Sequence, residues 1–101
     1  MDHFDRLAAA FADRAGVTIG EGRGFGNGTL QASGRIFAMR NAAGLALKLP
    51  AGRVAALLAA GGGLPFDAGK GRPMKEWVVI PLAQSEAWPE YAAEALEYVS
   101  R

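Results

Sequence analysis

The chain has 101 residues, which suits one domain with a modest hydrophobic core and leaves no room for a second. It has no cysteine, which excludes disulfide bonds, thiolate catalysis and cysteine-based zinc sites. Its net charge is only +1, no apolar run reaches the roughly 18 residues that span a membrane, and its first residues are too charged for a signal peptide. We therefore expect a soluble cytoplasmic protein without a cofactor or metal ion.

Charge is unevenly distributed along the chain. Residues 1–34 carry a net charge of −1, residues 35–75 carry +6, and residues 76–101 carry −4. One interpretation is that the basic middle and the acidic end neutralise each other in the fold or are solvated surfaces. The other is that the basic segment binds an anionic partner. Its candidate anion- or partner-binding residues are Arg40, Lys48, Arg53, Lys70, Arg72 and Lys75.

A first helix is predicted from apolar residues at helical spacing, which are Phe4, Leu7, Ala8, Phe11 and Ala15. Asp2 can cap the start of this helix, and Gly16 can end it. His3, the only histidine, lies at the exposed start. Because there is no second histidine and no cysteine, we do not expect His3 to bind a metal ion or to act as a base.

The next segment combines two short strands with a glycine-rich connection. Val17–Gly20 and Thr29–Ser33 are predicted strands, and glycines occupy alternate positions from 20 to 28 between them. These glycines do not match the GxGxxG motif, and the Gly-Lys pair at 69–70 lacks the rest of the Walker motif. We therefore interpret the segment as a turning loop whose backbone passes close to Phe25 at the sheet edge.

Residues 34–50 are typical of a β-hairpin. The predicted register places the large apolar side chains of both arms on one buried face, and these are Phe37, Met39, Leu45, Leu47 and Leu49. This register needs a loop of about five residues, 40–44. It places Arg40 and Lys48 together on the opposite face, here called the lighter face because its apolar side chains are smaller. A loop one residue shorter would expose Phe37 and bury the residues on either side of it.

A second helix is predicted directly after the hairpin. Pro50 suits its first turn, where a missing amide hydrogen is not needed, and the helix runs over residues 51–60. The glycines at 61–63 end it. Leu64 to Asp67 are predicted to form a bend or short edge strand, and residues 68–73 an exposed loop.

The last part of the chain is predicted to be a buried strand and an amphipathic helix. Trp77 to Ile80 form a continuous apolar run that Pro81 ends. The helix starts near Ser85 or Trp88. Its apolar side consists of Trp88, Tyr91, Ala92, Ala95, Leu96 and Val99, and its glutamates, at 86, 90, 94 and 97, lie away from that side.

Four segments resemble the TfoX N-terminal domain family, and more distantly the MmcQ/YjbR-like proteins: GRIFAM at 34–39, LALKLP at 45–50, PFD at 65–67 and GRPMKEWVVIP at 71–81. The resemblance covers the chain from about residue 20 to its end. It implies a two-layer α+β domain, with helices packed on an antiparallel sheet in the order α-β-β-β-α-β-β-α. Residues 1–101 would form one such domain. TfoX-type proteins regulate competence in bacteria, so the resemblance implies a regulatory or protein-interaction role and supplies no catalytic residues.

These observations favour a non-enzymatic module that binds an unknown protein partner or a second copy of itself. The predicted contact surface is the lighter face of the hairpin, with Ile36, Ala38, Ala46 and Lys48. The alternative is binding of an anion or nucleic acid through residues 35–75, which is less favoured because it needs several cations on one surface. An enzyme is favoured least, since Asp67 and Glu76 are the only carboxylate pair outside the helices that could line a cleft.

Overall fold

The structure, a computed structural model, describes residues 3–20, 28–67, 71 and 73–101. Its helices are α1 (His3–Phe11), α2 (Ala51–Ala59) and α3 (Trp88–Val99), with a 3-10 segment, Leu82–Ala87, directly before α3. Its strands are β1 (Val17–Gly20), β2 (Thr29–Ala32), β3 (Arg35–Asn41), β4 (Gly44–Lys48), β5 (Leu64–Pro65) and β6 (Trp77–Pro81). Asp2, Phe25 and most of the glycine-rich connection, about which the sequence makes predictions, lie outside the described residues.

The described strands form one antiparallel sheet in the order β1-β2-β3-β4-β6-β5. The predicted α+β class and the alternation of helix, strands, helix, strands and helix are confirmed, with four strands before α2 where the resemblance implies three. Among the described helices, none is long and apolar enough to cross a membrane.

One face of the sheet packs against all three helices and forms the main core. α1 contributes Phe4, Leu7 and Phe11, whose spacing puts them on one side of a helix. α3 covers the same face with Trp88, whose indole nitrogen donates a hydrogen bond of 3.2 Å to the backbone oxygen of Ile80. This bond satisfies the one polar group of a side chain that is only 3 % exposed.

The opposite face of the sheet carries a second, smaller apolar cluster. Its buried members are Ala46, Trp77 and Val79, and the half-buried side chains packed against them are Ile36, Met39, Phe66 and Met74. The two clusters follow from the alternation of side chains along β4 and β6. Leu47 and Val78 pair on the helix side, whereas Lys48 and Trp77 pair on the other side.

The hairpin register differs from the predicted one. Asn41 pairs with Gly44, so the loop has two residues and not five. The Asn41 side chain stabilises this turn because its Oδ1 accepts a 2.9 Å hydrogen bond from the amide of Ala43. Gly44 permits strand pairing up to the turn, since a Cβ there would overlap the backbone oxygen of Ile80.

A β-bulge changes which hairpin side chains face the helices. Leu30 pairs with Ala38 while its neighbour Gln31 pairs with Ile36, so Phe37 is an extra residue in β3. Phe37 and Ala38 both belong to the main core, and Met39 belongs to the second cluster. The predictions for Phe37 and the three leucines are therefore confirmed, and the prediction that Met39 joins them is wrong.

Candidate functional site

Arg40 lies on the helix side of the sheet, over α1. One guanidinium nitrogen is 3.1 Å from Oδ1 of Asp5, and the guanidinium carbon is 4.8 Å from the centre of the Phe4 ring. The alternation along β3 and β4 places Lys48 on the opposite face, so the prediction that the two cations share a face is wrong. The two-residue loop is the cause, because it pairs Arg40 with Leu45 of the core.

Lys48 takes part in a small polar network at the end of the sheet. Its Nζ lies 3.6 Å from Oε1 of Glu76 and 5.8 Å from the centre of the Trp77 ring. The same Glu76 oxygen accepts a 2.9 Å hydrogen bond from the hydroxyl of Tyr98. This bond is the main reason that the pKa of Tyr98 is raised above its usual value of 10.0.

Arg53 on α2 faces the acidic last helix. Its Nε lies 2.8 Å from Oε2 of Glu94, and a second guanidinium nitrogen lies 3.3 Å from Oε1. The hydrogen bonding to Glu94 raises the pKa of Arg53, so the group stays charged. At this point the basic middle of the chain meets its acidic end, as one interpretation of the charge pattern predicts.

Two of the basic residues singled out in the sequence, Arg40 and Lys48, lie on opposite faces of the sheet. Arg40, Lys48 and Arg53 each pair with a carboxylate of the chain. Lys75 is exposed and forms no ion pair in the part of the chain that the structure describes. Lys70 and Arg72 lie outside the described residues.

Lys75 stands at one wall of a shallow apolar groove of about 350 Å³, here called the α2 groove. The groove runs between α2 and the segment that precedes β6. Its lining residues are Ala51, Val54, Ala55, Leu58, Pro73, Met74 and Lys75. The four α2 residues follow the spacing i, i+3, i+4 and i+7, which places them along one side of the helix.

Sequence reasoning predicts a buried side for α2 but not this groove. Val54 and Leu57 are buried in the core as expected, and Leu58 is half-buried. Ala51 and Ala55 are exposed and form a second apolar stripe beside the core stripe. The signal in the sequence is the width of the apolar surface of α2, which is greater than one buried side requires.

The hairpin surface that the sequence predicts for partner contacts is mostly buried, and its residues lie on two faces of the sheet. Ala38 lies in the main core on the helix side, and Ala46 lies in the second cluster. Both are 0 % exposed, so neither can contact a partner. Ile36 is half-buried in the second cluster, so only Lys48 presents a polar group there.

The two carboxylates considered for catalysis contact different groups. Asp67 is exposed, and its Oδ1 accepts a 3.1 Å hydrogen bond from the amide of Gly71, whereas Glu76 contacts Tyr98 and Lys48. Among the described residues, no group of three or more histidine, aspartate or glutamate side chains is placed so that it could hold a metal ion. His3 packs edge-on against Trp88, with ring centres 6.2 Å apart, between two small cavities of about 190 and 200 Å³.

Comparison of the chain with protein-family models, with curated proteins and with solved structures finds no match. The resemblance to the TfoX N-terminal domain family therefore stays a prediction, carried by the four sequence segments that suggest it. Function has to be inferred from the geometry of the described residues, and the α2 groove is the largest concave apolar surface among the cavities given above.

Proposed function

We propose that this protein is a non-enzymatic interaction module that binds a segment of a partner protein in the α2 groove. The observation that carries the proposal is the groove itself: about 350 Å³ of space whose described lining residues are apolar except for Lys75. Sites that bind small molecules are typically concave, mostly apolar and about 300–1,000 Å³ in volume. The α2 groove falls at the lower end of that range.

The shape of the groove suits a short helical or extended segment. From Ala51 to Leu58 the helix rises about 10 Å, or two turns, at roughly 1.5 Å per residue. The short side chains of Ala51 and Ala55 allow a partner backbone to approach α2 closely. Met74 on the opposite wall is flexible and can adapt to different apolar side chains. This arrangement resembles the general mode in which an amphipathic segment lies in an apolar groove.

The proposed role is regulatory and the proposed location is the bacterial cytoplasm. Support comes from the TfoX-like segments and from a sequence without cysteine, which is compatible with a reducing compartment. Binding of nucleic acid is the alternative. It is less well supported because Arg40, Lys48 and Arg53 already pair with carboxylates of the chain, and Arg40 and Lys48 lie on opposite faces of the sheet.

A peptide-display selection with matched groove variants tests the proposal. Random 12-residue peptides are selected on the folded protein and then measured on Ala55→Trp, which fills the groove, and on Ala56→Trp. Ala56 is an exposed residue of the same helix that does not line the groove, so it controls for the added indole. We expect peptides that bind the unmodified protein and Ala56→Trp but lose binding to Ala55→Trp.

Two results would contradict the proposal. One is a selection that yields no peptide above background. The other is a set of peptides that bind Ala55→Trp as well as the unmodified protein, which would place their site elsewhere. Size-exclusion chromatography of both tryptophan variants and the unmodified protein over a range of concentrations shows whether a second copy of the chain occupies the groove instead.

A further inference from the structure

We infer that the segment bound in the α2 groove is acidic: it carries a carboxylate next to its apolar side chains, and this carboxylate pairs with Lys75. The inference rests on the proposed function and adds the chemistry of the partner. The observation behind it is the charge of the groove. Among the described residues that line it, Lys75 is the only charged one, and those of the α2 wall are all apolar.

Lys75 differs from the other described candidate cations in forming no ion pair with a described residue. Lys48 lies 3.6 Å from Glu76, and Arg53 lies 2.8 Å from Glu94, so a partner carboxylate would have to share each of them with a carboxylate of the chain. Lys75 forms no such pair among the described residues and is exposed. It can therefore gain a carboxylate from a partner without losing one from its own chain.

The position of Lys75 also sets the orientation of the segment. Lys75 follows Pro73 and Met74 in the segment that faces the apolar stripe on α2. A partner segment would place its apolar side chains against Ala55 and Leu58 and its carboxylate towards the other wall. Charge at the edge of an apolar site contributes mainly to specificity and to the association rate.

The same geometry argues against a phosphate backbone as the occupant of the groove. Nucleic acids need several cations that follow a line of phosphates. The described lining of the α2 groove has one cation beside an apolar stripe, which is complementary to a single carboxylate flanked by apolar groups. An acidic amphipathic peptide has that composition.

The test uses the peptides selected on the unmodified protein, with Kd measured by fluorescence anisotropy on four proteins. These are the unmodified protein, Lys75→Ala, Lys75→Glu and Arg35→Glu. Arg35 is exposed and does not line the groove, and its reversal changes the net charge as much as Lys75→Glu does. We expect acidic residues to be enriched in the peptides, a loss of about two- to fivefold in affinity with Lys75→Ala, a larger loss with Lys75→Glu, and no change with Arg35→Glu.

A second selection, carried out on Lys75→Glu, is expected to enrich basic residues in place of acidic ones. Added salt is expected to weaken peptide binding to the unmodified protein more than to Lys75→Ala, because only the former makes an ion pair. Peptides that depend on the open groove but show no acidic enrichment and bind Lys75→Ala unchanged would overturn this inference and leave the proposed function standing. Absence of any peptide sensitive to Ala55→Trp would overturn both.

Discussion

Arg53 on α2 and Glu94 on α3 form a two-point ion pair between segments 41 residues apart, with N to O distances of 2.8 and 3.3 Å. The pair joins the basic middle of the chain to its acidic last helix. Its two side chains are 42 % and 40 % exposed, so solvent screens the interaction. A pair this exposed contributes little to stability.

The first prediction concerns the energy of this pair. A double-mutant cycle with Arg53→Ala and Glu94→Ala is expected to give a coupling free energy of about 0.5–1 kcal/mol, because the geometry is bidentate but the pair is exposed. Urea unfolding of the four proteins measures it. The pair of Arg101 with Glu97, at 3.5 Å and with side chains 66 % and 75 % exposed, is the control and should couple less. A coupling no larger than that of the control would contradict the prediction.

The second prediction concerns nucleic acid. A short DNA duplex added to isotopically labelled protein at near-physiological salt is expected to cause no concerted shifts of the amides of Lys48, Arg53 and Lys75. The reason is that Lys48 and Arg53 already pair with carboxylates of their own chain. Concerted shifts that fade as salt is raised would show instead that these cations form one binding surface.

The third prediction concerns two glycines that lie at the turns on either side of β3, Gly34 and Gly44. A Cβ at Gly44 would overlap the backbone oxygen of Ile80 and lie 2.9 Å from Cα of Pro81, so Gly44→Ala must displace β6 from β4. We expect it to lower the free energy of unfolding by about 2–4 kcal/mol. Gly34 has a φ of 79° but no atom within 4 Å of a built Cβ, so Gly34→Ala should cost only about 1 kcal/mol. Thermal and urea unfolding compare the two, and equal losses would contradict the steric argument.

The hairpin shows how far the sequence determines the fold. Alternating apolar residues correctly predict two paired strands and the burial of Leu45, Leu47 and Leu49. They cannot predict the bulge at Phe37, because a bulge depends on how β2 pairs with β3 and leaves no periodic signal within β3. The predicted grouping of Arg40 with Lys48 fails for a separate reason, which is the two-residue loop that pairs Arg40 with Leu45.

The α2 groove shows the corresponding limit for a site. Charge counting identifies Lys75 as a candidate, but it gives the same weight to Arg53, whose partner Glu94 follows it by 41 residues. Local spacing predicts the core side of α2 and says nothing of Pro73 and Met74 as an opposite wall. A groove between two segments is a tertiary feature, so it becomes visible only when both segments are placed.

The fourth prediction separates the observed register from the one that periodicity suggests. Phe37 is 0 % exposed and packs near Phe11, with ring centres 6.3 Å apart, so Phe37→Ala is expected to cost about 3–5 kcal/mol. Met39 is half-buried in the smaller cluster, so Met39→Ala should cost clearly less. If both side chains faced the main core, as the sequence pattern predicts, the two losses would be similar. Urea unfolding distinguishes these outcomes.

The fifth prediction concerns pH. The hydroxyl of Tyr98 donates a 2.9 Å hydrogen bond to Glu76, and this bond, followed by burial and by the negative charge of Glu76, raises the pKa of Tyr98 above 10.0. In Tyr91→Phe, which leaves Tyr98 as the only tyrosine, phenolate absorbance should therefore appear above the usual pH. Adding Glu76→Gln should lower that midpoint. Adding Glu90→Gln, at the other end of α3, should leave it unchanged.

The same shift links Tyr98 to the pH dependence of stability. The folded protein holds the phenol proton more tightly than the unfolded chain does, where the pKa lies near 10. The stabilisation is fully present below that value and is lost as pH rises through the higher pKa of the folded state. The difference in free energy of unfolding between the unmodified protein and Tyr98→Phe should thus decrease as pH rises above about 10. A difference that stays constant over this range would show that the bond to Glu76 does not favour the neutral phenol.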